Sequence, residues 1–444
     1  MWQDDAGGEQ QRTPPWASLG ALGWPRVSGV TLREGALAVP NYRTFMAGST
    51  VALSAGWLLR TAQSWLVLDL TSSPAALGAV TVAQALPVTL LTLFAGVVID
   101  RMPMRRLMIS AQVIFVAQAA ITAILVLSHT IQFWHVLVLA SLMGVASAVD
   151  FPTRSAIISE LVDPARVANG VAVYSSVSSA TRIVGPGIGG VMIALWGSGA
   201  CFAVTAAAFA VATSSLLLLR PDQFYPRRRS ARGAVVGQLV AGLRYAVTSP
   251  LLAYNVVLAA FVGTFAYNWA LALPLLARYA LQAGAEGFGA LNMAMGVGST
   301  LGALWLATRV APSPRLVLGA ATVFSLLILV VAQAGSMPVA LVLLVATGAA
   351  SIAFNASSNT LLQINTREEF RGRVLSFYMF LMIGTTPLGG AFTGLVANQF
   401  DVRVALEING ALCLVGVAVA TVVLRRAQHT AGWLRAEAAP ARLD

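Results

Sequence analysis

Twelve stretches of mostly apolar residues, each roughly 20 to 30 long, follow one another along the chain and leave little room for anything else. They run approximately over Phe45–Leu68, Ala75–Ile99, Leu107–Leu127, Phe133–Ile158, Val167–Trp196, Cys201–Leu219, Leu251–Ala277, Phe288–Ala307, Leu316–Ala334, Val339–Leu362, Val374–Ala397 and Val404–Leu424. About 20 apolar residues in a helix cross a bilayer core of about 30 Å. The chain is 57% hydrophobic and only 10% charged, against about 25% charged in a soluble domain. There is too little polar surface to cover a body in water, so the solvent is lipid. Lipid offers no partner to a bare peptide group, so the runs are expected to be helices.

Arginine sets the expected orientation. Alternate loops hold Arg101, Arg105 and Arg106; Arg166; Arg220, Arg227, Arg228, Arg229 and Arg232; Arg309 and Arg315; and Arg367, Arg371 and Arg373. The opposite loops hold little beyond Arg278 and Arg403. The positive-inside rule then puts both termini in the cytoplasm, in the inner membrane of the cell. The net charge of +11, carried by 28 basic residues that are all arginine, is explained by topology and by attraction to anionic lipid, and calls for no nucleic acid.

The long central loop divides the chain six and six. The expected parts are a cytoplasmic tail at 1–40, without the pattern of a secretory signal, a six-helix bundle at 41–220, a linker at 221–249, a second bundle at 250–426 and a cytoplasmic tail at 427–444. Within the linker, Val235 to Val247 has helical apolar spacing and is predicted to lie on the inner membrane surface. Pro186 in "GPGIGG" and Pro387 in "TPLGG" both fall in the fifth helix of their half, which marks an internal repeat. Cys201, Cys413 and the three histidines show no disulfide or metal spacing, so no metal and no cofactor is expected.

One polar interruption is specific. Between the second and third runs stand Gly96, three residues, Asp100, Arg101, Met102, Pro103, Met104, Arg105 and Arg106. This resembles the signature loop of the major facilitator superfamily, G-x-x-x-D-R/K-x-G-x-R/K-R/K, with Pro103 in place of the second glycine. "WLLRTAQSWLVLDLT" from Trp57, "DFPTRSAIISELV" from Asp150, "RIVGPGIGG" from Arg182, "YNWALALPLLAR" from Tyr267 and "NTLLQ…RGRVLSFY…PLGG" from Asn359 are similar to its enterobactin-exporter and macrolide-efflux branch. The resemblance covers nearly all the membrane body. It implies an all-α membrane protein with twelve transmembrane helices in two pseudo-symmetric six-helix bundles, working as a monomer by alternating access. It also implies that the loop, with Arg371 and Arg373 as counterparts in the second half, latches the cytoplasmic side. Relatives often carry an acid where this chain has Ser64, so any proton coupling through that position is absent here.

A charge at the bilayer centre costs at least about 2.5–3.5 kcal/mol, so each one needs a reason. Arg60 and Arg182 fall near mid-depth of the first and fifth helices. Arg182 shares a stripe with Ser175, Ser178, Gly185 and Gly189; with Pro186 and Gly190 this resembles the G-P-x-x-G-G element of exporters. Arg182 is read either as facing a central cavity, there binding an anionic group, or as a structural clamp on helix-end carbonyls. Arg60 shares a face with Gly56, Gln63 and Ser64, and favours the structural role. Asp150, with Arg154 one turn on, is the carboxylate well inside a span; it either carries protons or closes a charge network with Arg101 or Arg105. Gln63, Tyr267, Asn268, Trp269, Asn355 and Asn359 are candidates to line a substrate cavity, with helix-to-helix bonding as the alternative for each.

The expected activity is proton-coupled export of an amphipathic small molecule: a drug, a macrolide or a siderophore-like compound. Uptake is the rival direction, and a non-transporting membrane sensor or scaffold is the rival class. No paired catalytic carboxylates, Ser-His arrangement or G-x-x-x-x-G-K-S/T phosphate loop occurs, so neither an enzyme nor an ATP-driven pump is expected.

Overall fold

The computed structural model describes residues 35–226, 244–245, 250–309 and 312–437, with side chains left out at 92–101, 250, 251, 309 and 427–437. Described residues outside the turns are helical, as lipid requires of a chain whose peptide groups must bond within their own segment. The first half comprises α1 (Pro40–Thr71), α2 (Pro74–Arg101), α3 (Met104–Leu127) and α4 (Phe133–Ala156). The next two spans, α5 (167–196) and α6 (198–217), are two helices that meet at Gly197, whose backbone is not helical. In the second half α7 spans Leu252–Ala280, followed by α8 (Ala285–Arg309), α9 (Pro314–Ala332), α10 (Met337–Asn365), α11 (Glu368–Gln399) and α12 (Val402–Glu437). These make two six-helix bundles.

Three features depart from the expectation. A loop was expected between α5 and α6, and the break proves to be the single residue Gly197. Its φ of 79° lies in the left-handed region that glycine occupies without a Cβ penalty. Next, α7 and α11 are not regular. π-turns interrupt them at Val262–Ala266 and Leu276–Ala280 in α7 and at Phe380–Gly384 in α11. The first of the α7 turns packs on that of α11, where a Cβ on Gly263 would come within 2.9 Å of the Met382 Cα. Finally, α12 runs well past the expected Leu424. The expected surface helix Val235–Val247 lies outside the described residues except for Arg244 and Tyr245, which are helical; Tyr245 stacks on Phe370 of α11 with ring centres 4.4 Å apart.

Helix starts follow from local chemistry. Proline stands in the first turn of α1, α9 and α10, where its missing N–H costs nothing. Ser313 also caps α9 by accepting from the Leu316 N–H at 3.2 Å. Hydroxyls inside the spans return their protons to the carbonyl one turn back, as Thr61 does to Trp57 and Thr205 to Cys201. Those two therefore add no unsatisfied donor to an apolar core.

Candidate functional site

The two bundles meet along two helix pairs, α2 with α11 and α5 with α8. Both contacts are glycine-built. A Cβ on Gly394 would lie 3.0 Å from the Gly78 Cα, and one on Gly78 would lie 3.3 Å from the Gly394 Cα. In the other pair, a Cβ on Gly289 would lie 3.2 Å from the Cα atoms of both Gly187 and Gly190. No side chain separates the backbones there, so the helices touch directly.

Both glycine contacts lie towards the arginine-poor end, and polar bonds close that end further. Arg278 of α7 is ion-paired with Asp69 of α1. Its guanidinium sits 5.4 Å from the centre of the Trp65 ring, and Trp65 in turn stacks with Phe288 of α8 at 6.4 Å. The Tyr279 hydroxyl donates to the Ser72 carbonyl at 2.7 Å, and Ser73 Oγ donates to Asn398 Oδ1 at 3.0 Å. Towards the arginine-rich end the facing helices lose this cover. No residue of α2 between Thr81 and Leu91 is buried, and Met379, Phe380 and Ile383 of α11 are exposed. A gap is thus sealed at one end and uncovered at the other.

Arg60 and Arg182 flank this gap. Trp57 packs against Gly185, and Thr61 against Gly189, so α1 and α5 run parallel in contact. At about 100° per residue, Arg182 falls between the α5 edge that meets α1 (Gly185, Gly189) and the edge that meets α8 (Ile183, Gly187, Gly190). By the same rotation, Arg60 falls between the α1 edge that meets α5 and the edge where Gln63 accepts from Gln84 of α2 at 3.1 Å. The reverse face of α1, with Ala55, Leu59, Ala62 and Leu66, is buried in the bundle. Arg60 is exposed, lies over the Trp57 ring at 5.5 Å, and neighbours Gly56, where a Cβ would meet nothing within 4 Å. Arg182 is exposed as well. The helix register puts Arg182 level with Ser54, about 9 Å along the axis from Arg60.

Asp150 and Arg154 sit elsewhere, inside the first bundle. Arg154 Nε donates to Asp150 Oδ2 at 2.6 Å with both side chains buried, and Arg154 Nη1 reaches Ser49 Oγ at 3.3 Å. The second carboxylate oxygen of Asp150 has no donor among the described residues. Arg105 turns to α6, where Nε donates to the Leu216 carbonyl at 2.8 Å and Nη2 to the Leu217 carbonyl at 2.9 Å. Arg106, Arg371 and Arg373 are exposed, the last 5.4 Å from the Phe370 ring. The side chains of Asp100 and Arg101, and all of Gly96 beyond its helical backbone, lie outside the described residues.

Of the polar residues, Gln63 is buried against Gln84. Tyr267 donates to the Ser351 carbonyl at 3.0 Å beside half-buried Asn355. Asn268 and Trp269 are buried, with Asn268 donating to the Thr264 carbonyl at 2.6 Å. Asn359 accepts from Gln363 at 2.5 Å. Gln84 and the Asp69–Arg278 pair border the same interface and could not be selected from residue order, since nothing local links positions so far apart. A separate groove of about 730 Å³ lies between α8, α9 and α10, lined by apolar side chains from Leu301 to Ala353 with Arg315 among them. It is not between the bundles.

The comparisons with known proteins agree with this architecture. Residues 35–437 match the family described as transmembrane secretion effector. The chain is 28% identical to the multidrug efflux pump Tap of Mycolicibacterium fortuitum, over 80% of this chain and 88% of that one. It is 24% identical to the staphyloferrin A transporter of Staphylococcus aureus, over 82% of this chain and 92% of that one. Among solved structures, the nucleoside transporter NupG has the same fold, with a TM-score of 0.68 at 13% identity, covering 86% of this chain and 99% of that one. Twelve helices in two bundles, a gap closed at one end and a family match over nearly the whole chain converge: the protein belongs to the transmembrane secretion effectors of the major facilitator superfamily, which are transporters and not enzymes.

Proposed function

We propose that the protein exports an amphipathic small molecule from the cytoplasm as a proton antiporter, with both termini cytoplasmic and a single chain as the working unit. The gap between the bundles, sealed by glycine contacts at the arginine-poor end, carries this reading. Substrate enters from the cytoplasm, the bundles rock about the gap, and the seal moves to the other side. The names of the relatives favour export, since Tap is called an efflux pump. For the proton, Asp150 is the buried carboxylate with an oxygen left without a donor, and its partner Arg154 can hold the site when the proton leaves. The Gly96–Arg106 loop and Arg371 and Arg373 then meet to close the cytoplasmic side in the opposite pose.

The test is a substrate panel in a strain stripped of its own efflux pumps, with and without an uncoupler. Resistance that disappears with the proton gradient supports antiport; resistance that survives it removes the coupling. Accumulation in place of resistance reverses the direction.

A further inference from the structure

Among the described residues, the charges away from the cytoplasmic ends of the spans include two that form no ion pair, Arg60 and Arg182. Asp150 is bound to Arg154, and Asp69 to Arg278. Glu407 accepts from Gln333, and Arg403 donates to the carbonyls of Ala280 at 3.4 Å and Ala334 at 3.2 Å. Arg60 and Arg182 form no ion pair among the described residues, and both are exposed on the helix edges that border the gap. No described carboxylate borders the gap at their depth. Two guanidiniums without counter-ions, bordering one gap with low-dielectric walls, focus a positive field into it.

We propose that the gap is a receptor for anionic amphipaths, in which Arg60 and Arg182 bind a carboxylate or similar acidic group of the substrate. The assignment rests on the transporter reading above and narrows its substrate class. Guanidinium matches a carboxylate or phosphate with two parallel N–H donors, a geometry that ammonium lacks. The Trp57 ring holds the Arg60 end in place without neutralising it. The offset of about 9 Å along the axis suits a molecule with acidic groups at two points, or one whose acid passes from one arginine to the other as the bundles rock. A cationic drug would meet two like charges and no counter-ion.

The field can be read without knowing the substrate. Gly56→Cys places a thiol one turn from Arg60 in open space, and Ser64→Cys is the second site should the first fail to fold. Cys201 and Cys413 are buried and stay in place. In protein held in nanodiscs, modification by sulfonatoethyl methanethiosulfonate is compared with modification by its trimethylammonium analogue, each normalised to mercaptoethanol. The anionic reagent is expected to be faster by about tenfold. Arg60→Gln and Arg182→Gln each lower the ratio, together they bring it to about one, and the Lys replacements preserve it. Fluorescein slows the modification, while rhodamine 123, a cation on the same ring system, does not. A ratio at or below one, a ratio indifferent to the Gln replacements, or protection by rhodamine 123 but not fluorescein overturns the proposal. None of these readouts requires transport, so an inactive exporter leaves them intact, and a charge-blind gap in a working exporter sinks the anion assignment alone.

Discussion

Arg278 of α7 binds Asp69 of α1 across the bundle interface while its guanidinium lies 5.4 Å from the centre of the Trp65 ring. One side chain therefore holds the closed end by charge and by ring contact. The pair is partly exposed, so its charge contribution is about 0.2–1 kcal/mol, with about 0.5–1 kcal/mol more from the ring. Asp69→Asn is expected to shift the equilibrium towards opening of this end by up to about fivefold, and Arg278→Ala by more, because it loses both contacts. Spin labels at Leu70 and Gln399 report the shift as a growing long-distance population. The exchanged pair Asp69→Arg with Arg278→Asp should restore most of it; equal effects of the two single changes would deny the ring a part.

The glycine contacts are the stricter constraint. Gly394→Ala or Gly289→Ala pushes a methyl into the opposing backbone, at a cost of about 1–3 kcal/mol to the closed arrangement. Transport should fall by about tenfold or more in each, with normal membrane insertion. Gly319→Ala, where a Cβ meets nothing within 4 Å, should leave transport unchanged. Vesicle uptake beside surface expression separates the two effects.

Breaking the buried pair inside the first bundle has a different signature. Asp150→Ala leaves Arg154 uncompensated and should destabilise by about 3–5 kcal/mol, lowering the thermal unfolding temperature in detergent. Asp150→Asn combined with Arg154→Gln should recover a large part of that loss. If the double variant still moves substrate down its own gradient but no longer responds to a proton gradient, Asp150 belongs to coupling; unaltered gradient dependence assigns it to packing alone.

Arg105 and Arg106 are adjacent in sequence but not in role. Arg105 ties the end of α6 by two carbonyl bonds, so Arg105→Ala should cost about 1.5–3 kcal/mol of stability. Arg106 is exposed, and Arg106→Ala should leave the melting temperature unmoved while weakening whatever that arginine meets in the opposite pose. A loss of stability in the second variant would contradict this division of labour.

Much of the fold is legible in residue order because lipid permits so few solutions: the apolar runs, the arginine asymmetry and the two proline–glycine elements suffice for twelve helices in two bundles. That Arg182 lies beside a close helix contact is legible too, since Gly185 and Gly189 mark one flank of its helix, while residue order leaves open whether it faces a cavity or clamps helix-end carbonyls. Gly197 was not, because a glycine between two apolar runs is equally compatible with a loop. The π-turns leave no residue pattern, as one extra residue in a turn changes backbone bonding and not composition. Nor could Asp69 be matched with Arg278: each stands out locally as a charge beside an apolar run, and only folding joins them.

The paired π-turns at Gly263 and Met382 have a mechanical consequence. Regular helices resist bending, whereas a turn with a slack hydrogen-bond ladder yields. Both π-turns that touch lie in the second half, while α1 of the first carries neither a π-turn nor an internal proline and α5 carries Pro186 instead. A machine symmetrical in outline thus places its bends by different means: the second half gives at π-turns, the first at proline.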